Sequence, residues 1–235
     1  MNALIVAAGQ SSRLYPRTLE TPKCMLELAG EALIDRSIRL LKENGVETVY
    51  VVVGFQNEKL EKHLEGRAEI FHNPFYATTN NMASLWFALP RVENADLLYL
   101  HSDLIYDERI LADFVEQSSG DKISLSVDFD SVHPEAMKVR CDKQQFIESS
   151  KEIPLDEAAG EWIGLTSFPV ARQRNLYEIM TELLMEEKFN DYDTVAFNRL
   201  AAGGVPFKLI ATRSRPWMEI DDEADWQTAR ELFEK

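Results

Sequence analysis

Three continuous apolar runs dominate the first half of the chain. They lie at residues 3–9, 47–54 and 95–103, and each has the length of a strand. Their side chains do not alternate between apolar and polar, which is typical of parallel strands covered on both faces of a sheet. The pattern therefore predicts three central strands.

Helical periodicity fills the segments between these runs. Around residues 33–41 the apolar positions follow a three–four spacing, and Gly45 lies where a helix should end. A second helix is predicted at residues 82–90, and a third at residues 108–119 with Asp107 as its N-cap. This alternation of strands and helices predicts a doubly wound parallel sheet.

The second half of the chain has a different pattern. Asp222 should begin a final helix, with Asp225 in support of its cap. The sheet is expected to become mixed here, within one α/β domain that carries a small β extension. The predicted strands are residues 122–129, 137–142, 144–149, 161–170, 207–212 and 217–221, and the predicted helices are 171–187 and 194–202.

Composition narrows the class of protein. The chain has 235 residues, and its 45% hydrophobic and 28% charged residues are ordinary for a globular domain. No apolar run reaches the ~20 residues of a membrane span, and the N-terminus lacks the pattern of a secretion signal. Cys24 and Cys141 give neither a metal spacing nor a disulfide framework. We expect a cytoplasmic protein without a membrane partner, and the net charge of −15 argues against nucleic acid binding.

The loop after the first strand is the first place to expect a ligand, because open α/β sheets bind ligands at the carboxyl ends of their strands. Residues 1–30 carry a net charge of +1, whereas the remainder carries −16. The loop does not match G-x-G-x-x-G, since Ser11 and Leu14 stand at two glycine positions, and no Walker Gly-Lys-Ser/Thr follows Gly9. A different kind of anion site is therefore predicted.

Small and basic side chains in this loop suit a nucleoside triphosphate. Gly9 and the alanines before it let a base and ribose approach the backbone, and the serines that follow offer hydrogen bonds. Arg13 offers a fork of donors and Lys23 a point charge, which suit separate phosphates. The predicted contacts are Ala7, Ala8, Gly9, Ser11, Ser12, Arg13 and Lys23.

Residues 4–23, LIVAAGQSSRLYPRTLETPK, resemble the signature L-x-A-G-x-G-x-R-(x)n-P-K of nucleotidyltransferases that make activated sugars and alcohols. Ser11 departs from this signature because it stands at the second glycine. Residues 73–88 are similar to the Asn-Asn-x-x-Ser-Leu segment of the phosphocholine and 2-aminoethylphosphonate cytidylyltransferases. EAMKV and GEWIGL look closer to the phosphonate branch, and MEIDDEADW is similar to the terminal metal segment of both.

This resemblance extends over essentially the whole chain. It implies a Rossmann-like fold of the nucleotide-diphospho-sugar transferase type. We expect a nucleotide-binding half of about residues 1–110 and an acceptor-binding half of about residues 111–235.

The chemistry implied by the resemblance is charge neutralisation. An acceptor oxygen attacks the α-phosphorus of CTP and pyrophosphate leaves, so no protein nucleophile is needed. Lys23 and Arg13 are expected to neutralise the triphosphate. Asp103 is expected to hold Mg²⁺ together with Glu219 and Asp221, whose spacing of two places them on one face of a strand.

Asn80, Asn81 and Ser84 resemble the segment that reads cytosine in relatives, and the alternative is that one asparagine caps the helix that follows. His101 stands where the family often has a second acid. We expect a packed or hydrogen-bonded histidine there rather than a metal ligand, and whether it contacts the site stays open.

The acceptor side is less defined. The resemblance suggests contacts from Lys138, Glu161, Asp193 and Asn198. A choline headgroup would need an aromatic cage, and Ala136 stands where phosphonate enzymes tend to carry an acid and choline enzymes an aromatic residue. The identity of the acceptor therefore stays open. The aromatic candidates are Trp86, Phe129, Trp162, Tyr192 and Trp217.

The sequence thus predicts a Mg²⁺-dependent cytidylyltransferase that joins CTP to a small phosphonate or phosphomonoester, with 2-aminoethylphosphonate favoured over phosphocholine. One alternative is a sugar-1-phosphate nucleotidyltransferase using UTP or dTTP, which should have a longer acceptor region. Another is a non-catalytic nucleotide-binding module, which should lack Lys23, Asp103 or Asp221, although all three are present. The oligomeric state is not predicted, and a homodimer is one option.

Overall fold

The computed structural model describes residues 1–92 and 94–234, and in these ranges it contains thirteen strands and seven α-helices. The strands are β1 (Asn2–Ala7), β2 (Glu27–Leu28), β3 (Glu31–Ala32), β4 (Val49–Val53), β5 (Glu69–His72), β6 (Leu97–His101), β7 (Leu104–Tyr106), β8 (Ile123–Asp128), β9 (Lys138–Asp142), β10 (Gln145–Ser150), β11 (Gly160–Phe168), β12 (Phe207–Ala211) and β13 (Trp217–Glu219). The helices are α1 (Leu33–Glu43), α2 (Asn57–Leu64), α3 (Asn81–Ala88), α4 (Glu108–Gln117), α5 (Val170–Met185), α6 (Thr194–Ala202) and α7 (Glu223–Phe233).

One mixed sheet forms the centre of the molecule. Among the described residues it has nine strands in the order β10-β9-β11-β6-β1-β4-β5, with β8 pairing with β11 and β12. β1 is parallel to β4 and β6, whereas β11 is antiparallel to β6. The predicted α/β fold with a sheet that becomes mixed in its second half is confirmed.

The three apolar runs are the central strands because both of their faces are covered. Every residue of β4 is buried, and β1 lies between β4 and β6. Helices α1, α2 and α4 pack on one face of the sheet, and α3, α5 and α6 pack on the other. Burial on both faces explains the lack of polar alternation in these runs.

The predicted helix ends agree with the structure. Gly45 follows α1 with a φ of +81°, in the left-handed region that favours glycine. The Asp107 carboxylate accepts from the Arg109 N–H at the start of α4, and Asp222 and Asp225 form a capping box at the start of α7. These caps satisfy backbone N–H groups that have no partner inside a helix.

Some elements have no counterpart in the sequence predictions. These are α2, β5, the short β2–β3 hairpin and strand β7, which pairs with β13 in a two-stranded ribbon. In addition, the strand predicted at residues 95–103 ends at His101, so Asp103 lies in the turn between β6 and β7. Strands as short as these leave too few alternating positions for a pattern to form.

The ribbon, α7 and the loop after β1 share a third apolar cluster. Leu14 from the loop packs with Ile105, Ile220 and Trp226, all of which are buried. This packing brings the C-terminal segment against the loop that carries Arg13 and Lys23. No helix in residues 1–92 and 94–234 is both long and apolar enough to cross a membrane.

Candidate active site

A cavity of about 470 Å³ opens at the carboxyl ends of β1 and β6. Because these strands are neighbours in the sheet, the loop after β1 lies beside the turn after β6. The ribbon, the start of α3 and the first half of β11 complete the wall. The predicted site residues that line it are Ala7, Ala8, Gly9, Ser11, Ser12, Arg13, Lys23, Asn80, Asn81, Ser84, Asp103, Glu161, Glu219 and Asp221.

The loop after β1 turns sharply at Ser11. The φ of Ser11 is +52°, in the left-handed region where glycine is favoured. Its carbonyl oxygen accepts a hydrogen bond of 2.8 Å from the hydroxyl of Thr18, which is fully buried. Ser11 therefore adopts a conformation that favours glycine, and the buried Thr18 hydroxyl holds its carbonyl in place.

Close packing at Gly54 fixes the backbone at this edge of the cavity. Gly54 follows β4, and a Cβ at this position would lie 2.5 Å from the Tyr76 Cβ and 2.7 Å from the Ala8 carbonyl oxygen. Only glycine fits, so the chain after β4 packs directly on the chain after β1.

The Lys23 ammonium lies between two carboxylates. Its Nζ is 2.5 Å from the Asp103 Oδ2 and 3.1 Å from the Asp221 Oδ1. Burial disfavours the charged lysine, but attraction to both carboxylates outweighs it and raises the pKa of Lys23. Burial opposes the charged form of Asp103 too, and attraction to Lys23 and His101 nevertheless lowers its pKa. The floor of the cavity is thus a network of ion pairs in which Lys23 and Asp103 each favour the charged form of the other.

Arg13 extends this network toward solvent. Its Nη2 lies 2.9 Å from the Asp221 Oδ2, and its side chain is 67% exposed. Such exposure leaves the guanidinium free to move to another anion at little cost. Farther along the loop, Arg17 donates two hydrogen bonds to Glu223 and lies over the Trp226 ring. The loop is therefore fastened to α7 beyond the site.

The start of α7 positions Asp221. The Asp225 Oδ2 accepts from the backbone N–H of Asp221 at 2.9 Å and of Asp222 at 3.1 Å. In return, the Asp222 carboxylate accepts from the backbone of α7. The capping box predicted from sequence therefore also fixes the chain at a cavity residue.

His101 lies in the cavity wall, which the sequence left open. Its Nδ1 is 3.2 Å from the Glu219 Oε1, and its Nε2 is 3.2 Å from the Asp193 Oδ2 and 3.1 Å from the Asn81 Nδ2. Burial opposes the charged imidazole, but hydrogen bonds to Asp193 and Glu219 raise the pKa of His101. A Cβ at Gly164 would lie 3.1 Å from Nδ1, so this glycine leaves room for the ring.

The segment that resembles a cytosine reader has most of its polar atoms engaged. The Asn80 carbonyl caps α3, as predicted for one of the two asparagines, and its amide donates to the Asn190 carbonyl. The Asn81 carbonyl accepts from the backbone N–H groups of Met82 and Asp193. Ser84 is buried and accepts from the Asn73 amide.

The acidic groups at the cavity floor have the chemistry of a divalent-metal site. One ligand atom from each of His101, Asp103 and Glu219 lies within 4.8 Å of the others. The Asp103 Oδ1 is buried and has no hydrogen-bond partner among the described residues. Carboxylate oxygens are the donors that Mg²⁺ and similar ions take, so the residues fit a divalent ion.

Glu161 and Lys151 both line the cavity, on the side where the acceptor is expected. Burial is the main cause that raises the pKa of Glu161 to about 7, and its buried Oε2 has no hydrogen-bond partner among the described residues. The Lys151 Nζ lies 5.4 Å from the centre of the Tyr192 ring, which is 39% exposed. Sequence reasoning missed Lys151, because a single lysine after an edge strand gives no signal.

Three predicted acceptor contacts lie outside the cavity wall. Lys138 is buried and donates to the Pro134 carbonyl at 2.6 Å. Asp193 is fully buried, and Asn198 exchanges two hydrogen bonds with the Ser149 backbone. The polar atoms of these three side chains are bonded within the protein, and their contact with an acceptor stays a prediction.

Some of the aromatic candidates line the cavity and others lie outside it. Trp162 and Tyr192 line the cavity, whereas Trp86 stacks on Tyr177 and Trp217 donates to the Asp128 carboxylate. Phe129 is 42% exposed and is not part of the cavity wall. Trp162 is itself buried, so these residues do not form a cage of exposed ring faces.

The chain is similar in sequence to known nucleotidyltransferases. Residues 3–163 match the MobA-like NTP transferase domain. The chain is 28% identical over 218 residues to the CTP:phosphoglutamine cytidylyltransferase of Campylobacter jejuni, covering 85% of this chain and 82% of that protein. It is 34% identical over 113 residues to the 2-aminoethylphosphonate cytidylyltransferase of Lancefieldella rimae, covering 46% of each chain.

Solved structures share the fold. The CTP:phosphocholine cytidylyltransferase from Streptococcus pneumoniae superposes with a TM-score of 0.78 at 19% identity, and the match covers 98% of both chains. This match shows that the two chains share their fold over nearly their whole length.

Proposed function

We propose that this chain, which belongs to the MobA-like NTP transferase domain family, transfers CMP from CTP to a small phosphonate or phosphomonoester. It is a nucleotidyltransferase. The observation that carries the proposal is the Lys23 ammonium, held between Asp103 and Asp221 beside the loop after β1. Relatives with cytidylyltransferase names support CTP as the nucleotide.

We propose that the triphosphate binds at the loop after β1. Small residues at Ala8 and Gly9 leave space against the strand end, and Ser11 and Ser12 of the turn that follows line the cavity. Arg13 is exposed enough to turn from Asp221 to a phosphate. Lys23 keeps its charge and offsets the negative charge that develops as pyrophosphate leaves.

We propose Mg²⁺ as the ion of this family site, held by Asp103 with Glu219 or Asp221. When bound, Mg²⁺ supplies positive charge and a template for the phosphate oxygens. The protein groups around it would orient the two anionic substrates, and Asp103, whose Oδ1 is buried, would hold the ion at the cavity floor. The acceptor oxygen then bonds to the α-phosphorus as the bond to the β-phosphate oxygen breaks.

The acceptor side favours a small anion that also carries a primary amine. Lys151 forms no ion pair among the described residues, so its ammonium is free for a phosphonate or phosphate group. Glu161 has an unpartnered carboxylate oxygen that suits an ammonium. An aromatic cage for a quaternary amine would need several exposed rings, and Tyr192 offers one such face. We therefore favour 2-aminoethylphosphonate over phosphocholine.

This proposal gives each half of the chain a role. Residues of about 1–110 would bind CTP, and residues of about 111–235 would supply Lys151 and Glu161 to the acceptor. The C-terminal ribbon joins the two, because Asp221 lies against Lys23. A cytoplasmic location and a homodimer stay predictions.

The test is a panel of four nucleoside triphosphates with Mg²⁺ against several acceptors. Pyrophosphate release should require CTP and an aminophosphonate or phosphomonoester. The Asp103→Ala variant should lose turnover while its circular dichroism spectrum is kept, because it removes the carboxylate at the cavity floor that pairs with Lys23. Preference for UTP with a sugar phosphate would reject the cytidylyl assignment, and full activity of Asp103→Ala would reject the role of Asp103.

A further inference from the structure

The carboxylates at the cavity floor are not equally available to a metal ion. Both Asp221 oxygens face cations, since Oδ1 lies 3.1 Å from Lys23 and Oδ2 lies 2.9 Å from Arg13. The Asp103 Oδ2 also pairs with the Lys23 ammonium, whereas its Oδ1 is buried without a hydrogen-bond partner among the described residues. The free oxygen of Asp103 is thus the donor that a ligand must satisfy.

The possible ligand atoms nearest to each other include a His101 nitrogen, whose proton an ion would displace on binding. His101, Asp103 and Glu219 each bring one ligand atom within 4.8 Å of the others, and the His101 Nδ1 is 3.2 Å from the Glu219 Oε1. Glu219 is 43% exposed on its side chain, so its carboxylate can adjust to an ion. Asp221, in contrast, is not part of this group.

The second ring nitrogen of His101, Nε2, contacts a carboxylate, as in many metal-binding histidines. Nε2 lies 3.2 Å from the Asp193 Oδ2, and Asp193 is fully buried. That carboxylate is itself fixed, because it accepts from the Tyr99 hydroxyl at 2.6 Å and from the Thr194 N–H at 2.9 Å. Histidines that bind metals usually have their second nitrogen bonded to such an outer group, which orients the ring.

We propose that His101, Asp103 and Glu219 form a mixed nitrogen–oxygen site for a divalent transition ion such as Mn²⁺, with Asp193 as the positioning residue behind His101. Imidazole suits transition ions, whereas Mg²⁺ takes oxygen donors, so the site should prefer Mn²⁺ to Mg²⁺. The proposal rests on the proposed function, because an ion here would serve the same transfer reaction. It differs in the donor set, since the resemblance in the sequence led us to expect the oxygen donors of Asp103, Glu219 and Asp221 alone.

Pulsed electron paramagnetic resonance of bound Mn²⁺ tests the proposal, because it detects a nitrogen ligand directly. Wild-type protein is loaded with Mn²⁺, once without nucleotide and once with CTP and no acceptor. We expect ¹⁴N modulation from His101, its loss in His101→Gln, and its retention in His72→Gln. His72 is a matched control because its imidazole also lies near a carboxylate, 3.1 Å from the Glu61 Oε1, but outside the cavity.

Titration of Mn²⁺ and Mg²⁺ by calorimetry supplies the second measurement. Mn²⁺ should bind more tightly than Mg²⁺ to the wild type, and this preference should shrink in His101→Gln. Asp193→Asn should weaken Mn²⁺ binding by roughly 10- to 100-fold, as expected for an outer partner of a metal-binding histidine.

Three results would overturn the proposal: Mn²⁺ bound without ¹⁴N modulation, modulation that persists in His101→Gln, or equal affinity of the wild type for the two ions. The proposed function is judged separately by pyrophosphate release in the same samples. Turnover with no nitrogen signal rejects this metal site alone, whereas a nitrogen signal with no turnover on any acceptor rejects the proposed transfer alone.

Discussion

Ser11 adopts a backbone conformation that most side chains avoid. Its φ of +52° belongs to the left-handed region, and its carbonyl is fixed by the hydroxyl of buried Thr18. A non-glycine residue in this region carries strain of about 1–3 kcal/mol. The loop therefore keeps its shape through contacts elsewhere, among them the packing of Leu14 against the C-terminal segment.

Substitutions at Ser11 test how much its backbone conformation contributes to stability. Ser11→Val should lower the free energy of unfolding by about 1–3 kcal/mol, because a β-branched side chain fits this conformation poorly. Ser11→Gly should stay within about 1 kcal/mol of the wild type, since relief of strain and greater freedom of the unfolded chain oppose each other. Urea denaturation measures both variants. A valine variant as stable as the wild type would contradict the left-handed conformation.

Glu161 gives the protein a pH dependence with a definite sign. Its pKa is raised from the ordinary value of 4.5 to about 7, first by burial and then by the negative charges of Glu219 and Asp128. Between these pH values the folded state holds a proton that the unfolded state releases. The contribution of Glu161 to stability is therefore complete below about pH 4.5 and is lost as the pH rises through about 7.

Glu161→Gln tests this sign. The variant cannot ionise, so its stability relative to the wild type should rise from pH 5 to pH 8, by on the order of 1–2 kcal/mol after allowance for solvent screening. Thermal unfolding of both proteins without metal or nucleotide gives the comparison. If the two stability profiles stay parallel over this range, the carboxylate is not buried in the way described.

Helix α7 shows how one element serves both the fold and the site. The same Asp225 carboxylate that caps the helix also accepts the N–H of Asp221. The sequence predicted the cap, because Asp222 and Asp225 have the spacing of a capping box. It did not predict that Asp221 would bind both Lys23 and Arg13, since these contacts join residues about 200 positions apart.

Asp225→Ala should reduce both stability and activity. Loss of the cap should lower the free energy of unfolding by about 0.5–2 kcal/mol, and displacement of Asp221 should lower kcat/KM roughly tenfold or more. Asp107→Ala is the matched control, because it removes the N-cap of α4, away from the cavity. It should lose similar stability and keep its activity. Equal activities of the two variants would show that the cap of α7 does not influence the site.

Two of the expected acceptor contacts, on β9 and β11, are placed differently by the structure. Lys138 and Glu161 are register partners of β9 and β11, and both were expected to face the acceptor. The structure turns the Lys138 amine to the Pro134 carbonyl, whereas Glu161 lines the cavity. Sequence spacing places residues on strands, but it does not say which local carbonyl a long side chain will reach.

Across the whole molecule, the parts near the N-terminus were the easiest to predict. The apolar runs identified β1, β4 and β6, and the resemblance of residues 4–23 to nucleotidyltransferases is confirmed by the family match. The rest of the cavity is assembled by tertiary packing, because β11, the ribbon and α7 bring distant residues to the end of β1. Lys151 belongs to this part, which explains why it did not stand out in the sequence, whereas the sequence placed His101 on the strand that became β6 and left its contact with the site open.

The measurement that tests the account most directly is ³¹P nuclear magnetic resonance of the reaction of CTP with 2-aminoethylphosphonate in the presence of Mg²⁺. The account predicts that the phosphonate signal and the α-phosphate signal move together into a coupled pair while pyrophosphate appears in equal amount. The Asp103→Ala variant should leave the spectrum unchanged. Conversion of UTP and glucose-1-phosphate instead, with CTP and the aminophosphonate untouched, would contradict the central claim.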